Sequence, residues 1–297
     1  NSTGFVGAVN GSVGTVTVTG VGSSWINSAG LRVGDGGEGR LTVTDGGTVV
    51  NNDAFIAKEP ASIGRVDVFT FGDAPLWTIN GQLSVGGDAQ TGTNGGEGTL
   101  AVDAGGTVNV AEDTALFPDG VLALGPGGQF STSAVSFNGG GEFNWTGGTL
   151  HVDQYFGDLT NQGGTLAPGR STGNTLILGD YMQQAAATLE IELGGTGMGT
   201  TFDFVNATGD AIVDGQLELA LVNGFMPQPS DQFLVFNADS LLGIFDNVAN
   251  NTRLDSTDGG GSFLVHYGVG SAFDPTQIVL SDFIAAAGLL GDYNDDG

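Results

Sequence analysis

Two stretches of the chain repeat each other, and this repetition limits the possible folds more than any other feature. GTVTVTGVGSSW, residues 14–25, is matched by GRVDVFTFGDAPLW, residues 64–77. Each continues with the same spacing from its tryptophan: Trp25, Leu31, Val33 and Gly34 in the first copy, Trp77, Leu83, Val85 and Gly86 in the second. The match resumes where GGEGRLTVTDGGTVV, residues 36–50, reads against GGEGTLAVDAGGTVN, residues 95–109. A seven-residue insertion, residues 88–94, separates the two blocks in the second copy and belongs in a surface loop. A unit of this size cannot bury its apolar face alone, so neighbouring units must stack on one another.

Within each unit the apolar residues alternate with period two: Val16 and Val18, Leu31 and Val33, Leu41 and Val43, Leu83 and Val85, Leu100 and Val102, Val108 and Val110. The residues between them are mostly Thr, Ser, Asp and Asn, which suit a solvated face. Gly-Gly and Asp-Gly corners close each run, because glycine takes positive φ without a Cβ clash. Short strands at such regular intervals predict a parallel β-solenoid, with an antiparallel sandwich as the main alternative. GVLALGPGGQFSTSAVSFNGGGEFNWTGGTLHV, residues 120–152, keeps the alternation without the tryptophan spacing and reads as further coils.

Composition agrees. The 55 glycines among 297 residues are far above the usual share of about 7%, and they lack the Gly-X-Y period of collagen. Six basic against 33 acidic side chains give a net charge of −27, while a hydrophobic fraction of 39% with 18 Phe supplies a core. A field of that sign repels phosphate backbones and anionic lipid, so neither nucleic-acid binding nor membrane binding is expected. Without cysteine there is no disulfide, thiolate metal site or cysteine nucleophile. No apolar run approaches the length of a membrane-spanning helix. The chain opens on Asn1 without a methionine, which is expected of a processed protein or a segment of a longer one.

The series GTVTVTGVGSSW, Leu-x-Val-Gly and GRLTVTDGGTVV resembles the short repeat shared by bacterial autotransporter passenger domains and PEP-CTERM-type exported proteins, over about the first 110 residues. The resemblance implies a right-handed parallel β-helix outside the cell, with no catalytic chemistry. GGTLAPGRSTGNTLILGDYMQQAAATLEIELGG and the segment after it, within residues 163–283, resemble the C-terminal passenger segment of the same proteins. Here Leu189, Ile191 and Leu193 alternate with Glu190 and Glu192, and Leu217, Leu219 and Leu221 continue the pattern; Pro168, Pro227 and Pro229 punctuate it. Wider solenoid coils and an antiparallel sandwich both fit. The expected organisation is a β-solenoid over residues 1–168, a C-terminal β domain over 169–284 and a linker with a terminal loop over 285–297.

Candidate chemistry is sparse. Paired carboxylates could serve a glycosidase, but with 33 acids some pair meets any spacing by chance, so the cluster of Asp203, Asp210 and Asp214 reads as a solvated acidic face. His151 and His266 stand alone and read as structural, and no nucleophile-elbow motif marks a serine. Trp25 and Trp77 recur at one place in the repeat and are expected inside the coils, whereas Trp145 is unconstrained and compatible with a surface position. At the end of the chain Asp292-Tyr293-Asn294-Asp295-Asp296-Gly297 matches the first half of a calcium loop. Asp292, Asn294 and Asp296 would be the ligands. GDYNDDG resembles the opening of a type I dockerin module, without the acid at loop position 12.

These readings predict a non-catalytic extracellular structural protein, a subunit of a cell-surface or secreted filament joined head-to-tail or by strand donation. The alternative is a monomeric adhesin, a stalk presenting loops such as residues 88–94 to a glycan or a cell surface. A polysaccharide-active enzyme is a third and weaker fit. Calcium is the one expected cofactor.

Overall fold

The computed structural model describes residues 2–286, and all of its regular structure is β. The chain forms two compact units: Asn1–Gly157 with Gln162–Thr165, and Asp158–Asn161 with Leu166–Gly297. Most strand pairs are parallel.

In the first unit the chain visits three columns of parallel strands in turn and then starts the next rung. The first column stacks Gly4–Val6, Leu31–Val33, Ala54–Ile56, Leu83–Val85 and Asp113–Leu116. The second stacks Val13–Thr19, Glu38–Thr44, Ile63–Phe69, Glu97–Val102, Gly120–Leu124 and Glu142–Trp145. The third stacks Ser24–Ile26, Thr48–Asn51, Leu76–Ile79, Thr107–Val110, Gln129–Phe137 and Thr149–Tyr155. Because side chains alternate across a strand, in-register stacking turns each period-two sequence pattern into ladders of buried residues. Val33, Ile56, Val85 and Leu116 form one ladder, and Leu41, Val66, Leu100 and Leu122 another, all without solvent exposure. Burial of each such side chain contributes about 1.5 to 3 kcal/mol.

The two tryptophans of the repeat lie in one ladder, with Val49 between them: Trp25 faces Val49, and Val49 faces Trp77. Trp77 is fully buried and Trp25 only partly so. Trp145, for which a surface position was compatible, is fully buried and stacks on Phe143 at 6.0 Å between ring centroids. Its place is the second column, where it continues the ladder of Leu124.

Glycine marks two recurring positions. One is a ladder of Gly14, Gly39, Gly64, Gly98 and Gly120 in the second column. A Cβ on Gly120 would stand 2.1 Å from the Val85 carbonyl oxygen, and one on Gly39 2.3 Å from that of Val6, so the strand packs against the preceding corner with no room for a side chain. The other is that corner itself, where Gly7, Gly34 and Gly86 take φ of 70°, 73° and 76°. Ala57 occupies the same corner at φ 56°. The insertion after Gly86 folds as a small hairpin, Gly87–Asp88 against Thr93–Asn94. Residues 90–94 of it are exposed. Asp88 at its base is buried and paired with Lys58 Nζ at 3.0 Å.

The second unit also begins with parallel pairs. Leu159–Asn161, Tyr181–Gln183, Asp210–Val213 and Ser240–Gly243 form a four-stranded parallel sheet. Asn174–Ile177 pairs with Phe204–Ala207, and Thr188–Leu193 with Gln216–Leu221. Phe233–Asn237 joins the two kinds of pairing: it lies parallel to Phe204–Ala207 and antiparallel to Gln277–Ala285, which runs antiparallel to Gly261–His266, and that strand in turn to Thr252–Asp255. Parallel and antiparallel pairing thus both occur in this region. Phe233 centres an edge-to-face cluster here, with Phe202, Phe225 and Phe263 at 5.2, 6.1 and 5.9 Å.

Candidate functional site

Asp292, Asn294 and Asp296 lie outside the described residues. Among the described residues, no group of three or more His, Asp or Glu side chains is placed to hold a metal ion. Asp203, Asp210 and Asp214 do not converge; each serves a different backbone or hydroxyl group. Asp203 is not on a solvated face, as the sequence led us to expect, but 1% exposed. Its carboxylate accepts the N–H of Gly173 at 2.7 Å and of Glu192 at 2.8 Å, bridging two neighbouring segments. Burial pushes its pKa up to about 7 against the opposing pull of those two N–H groups, and the charges of Glu192 and Glu190 raise it further. Asp214 accepts the N–H of Gly215.

Asp210 belongs to a ladder. Asp158 Oδ1 accepts the N–H of Asp180, and Asp180 Oδ1 accepts the N–H of Asp210 thirty residues on, each at 2.9 Å. Asp210 Oδ1 in turn accepts from Ser240 Oγ at 2.7 Å. The carboxylates therefore satisfy the N–H groups of Asp180 and Asp210, where two strands of the four-stranded sheet begin, and the hydroxyl of Ser240 at the start of a third. Beside them the outward positions of three of these strands are apolar: Thr160 faces Met182, Met182 faces Ile212, and Ile212 faces Leu242. Met182, Ile212 and Leu242 are exposed, as are Ile244 and Val269.

This apolar row ends at a groove of about 360 Å³ lined by Leu241, Leu242, Ile244, Asn250, Tyr267 and Val269, with Gly243 and Gly268. No carboxylate lines it, in a chain of net charge −27. Ser240–Gly243 is the end strand of its sheet, so the groove lies beside an open strand edge. The sequence carries a trace of this surface: in Ala211-Ile212-Val213 and Leu241-Leu242 the strict alternation fails, and the outward position is apolar too.

The two histidines differ. His151 sits half-buried in the strand Thr149–Tyr155. His266 is 6% exposed and lies between two polar partners, with Nδ1 2.6 Å from Asn251 Oδ1 and Nε2 2.8 Å from Ser281 Oγ. Asn251 Nδ2 donates to the Gly270 carbonyl at 3.0 Å, which turns the amide oxygen toward the ring. Phe273 covers the imidazole edge-on at 5.0 Å. Burial lowers the His266 pKa, so the ring is neutral at neutral pH. The three residues come from three adjacent segments of the antiparallel sheet and share one face, an arrangement that no local motif announces.

No protein-family model matches the chain, and no curated protein matches it.

Proposed function

We propose that the protein is an extracellular structural protein. In this reading the parallel rungs form a right-handed β-solenoid, and the chain associates with copies of itself into a cell-surface or secreted filament. The observation that carries the reading is the in-register parallel stacking of the first unit, in which three columns of five or six strands carry buried ladders of apolar residues from one rung to the next. Strand donation is the favoured joint, because the Ser240–Gly243 edge is open and the groove beside it is free of charge. Elsewhere, close approach of two such chains meets like-charge repulsion. Calcium at Asp292, Asn294 and Asp296 is the cation this reading assigns, and it would also screen the acidic faces.

Electron microscopy and light scattering on the full chain, with calcium and with chelator, test the assignment. Fibres or higher oligomers are expected, with Leu242→Glu and Ile244→Asp each shifting the population to monomer. A monodisperse monomer under every condition overturns it. The adhesin alternative rests on the hairpin at residues 88–94, whose tip projects from a base fixed by the Lys58–Asp88 pair; loss of surface attachment on its removal, with assembly intact, selects that alternative.

A further inference from the structure

The geometry points to Ser281 as an activated nucleophile, with His266 as its general base and Asn251 as the residue that orients the base, and we infer that Ser281 accepts acyl groups from activated carboxylic esters. This activity is separate from the structural role proposed above and departs from the expectation of a non-catalytic chain.

Proton positions follow from the partners. With Asn251 Nδ2 engaged by the Gly270 carbonyl, Oδ1 faces the imidazole and can only accept, so Nδ1 of His266 carries the hydrogen. In the neutral ring Nε2 is then a lone-pair acceptor, and the hydroxyl of Ser281 donates to it. A nucleophile bonded to a base, and a base oriented by a third group, is the constellation that activates a serine. Both distances, 2.8 and 2.6 Å, fall within the reach that proton transfer requires.

The backbone holds this arrangement in place. Asn251 sits at φ 60° and Asp282, the neighbour of Ser281, at φ 49°. The pairing of Gly261–His266 with Gln277–Ala285 slips between Ser262 and Leu264, so a bulge lies beside Ser281. Bulges of this kind re-aim a side chain, and left-handed non-glycine residues concentrate at functional sites. Arg253 clamps the bulge, donating to the Ser262 carbonyl and to both the carbonyl and the carboxylate of Asp282. Arg253 is thus a positioning residue. Ser281 itself remains partly exposed, whereas its partner His266 is buried.

In the reaction Ser281 Oγ attacks the ester carbonyl carbon while its proton passes to His266 Nε2. The ester C–O bond then breaks, and the leaving alcohol departs with that proton. Water hydrolyses the acyl-serine by the same route and restores the hydroxyl. Asn251 fixes the tautomer but carries no charge to stabilise the imidazolium, so the reaction is slow and favours aryl esters with good leaving groups.

The test is labelling of the full chain by a fluorophosphonate, with the site mapped by peptide mass spectrometry, together with hydrolysis of p-nitrophenyl acetate. Ser281 is expected to label at least about tenfold faster than any other serine, and His266→Ala to slow this about a hundredfold or more. Ser281→Ala should remove both the adduct and the hydrolysis. Asn251→Asp should accelerate labelling, because a carboxylate stabilises the imidazolium, whereas a purely structural network gives no such gain. Labelling of Ser281 at the rate of the other serines overturns the proposal even if every variant misfolds, and so does an unchanged rate in a folded His266→Ala variant.

Discussion

The indole N–H of Trp77 is bonded to Asn51 Oδ1 at 2.7 Å, linking one rung of the first unit to the rung before it inside a fully buried core. Asn51 is held in turn by its own amide, which donates to the Asp53 carbonyl at 3.1 Å. Replacing Asn51 by leucine keeps the volume but orphans a buried donor, so a loss of about 1 to 3 kcal/mol is expected. Trp77→Phe in the Asn51→Leu background should recover part of it, since the orphan then disappears. Denaturant unfolding of the two single variants and the double variant measures the coupling.

Ala57 holds a left-handed conformation where the equivalent corners have glycine. Ala57→Gly is expected to stabilise the protein by roughly 0.5 to 1 kcal/mol, since relief of Cβ strain outweighs the greater freedom of the unfolded chain. The reverse change at the same corner, Gly34→Ala, should destabilise more strongly, because a Cβ there meets the Ile63 carbonyl oxygen at 2.3 Å. A thermal melt of each variant gives both signs.

Asp203 makes stability depend on pH in an unusual direction. A carboxyl whose pKa rises on folding, here from 3.8 to about 7, binds its proton more tightly in the native state. Its contribution therefore favours folding at low pH and is lost as pH climbs from about 4 to about 7, on the order of 4 kcal/mol across that window. Asp203→Asn should flatten this part of the stability profile. Urea midpoints measured from pH 4 to pH 8 on both proteins show whether it does.

Removing residues 88–94 and joining the flanks should leave the rungs in register, since the first copy of the repeat passes the same corner without them. The change breaks the Lys58–Asp88 pair and leaves Lys58 near Glu59 at 3.5 Å. An expected cost of about 1 kcal/mol, read from a melting curve, is small beside that of Phe233→Ala, which empties the centre of a four-ring cluster and should cost roughly 3 to 5 kcal/mol.

What could be read in the sequence follows from what repeats. Leu31, Leu41, Leu83 and Leu100 are buried as their period-two spacing requires, because in-register stacking preserves a strand's own pattern. Alternation is blind to strand direction, so Thr252–Asp255, Gly261–His266 and Gln277–Ala285 carry nothing in their spacing that sets them apart from parallel strands, although they pair antiparallel and Leu280 lies opposite Phe233. Trp145 was ambiguous because it occupies a different column from Trp25 and Trp77. Asp203 misled because burial of a carboxylate depends on two N–H groups supplied by distant segments. The grouping of Asn251, His266 and Ser281 depends on pairing register, which no single strand encodes.

The glycine ladder from Gly14 to Gly120 also constrains how such a gene can change. Every base substitution that turns a glycine codon into that of another amino acid installs a Cβ, and at these positions the space is already filled by the backbone of the preceding corner. Drift at single codons is therefore closed off along the whole column. Duplication of a complete rung is not, because each copied segment brings its own glycine and its own corner, and the chain can lengthen by a route that point substitution denies it.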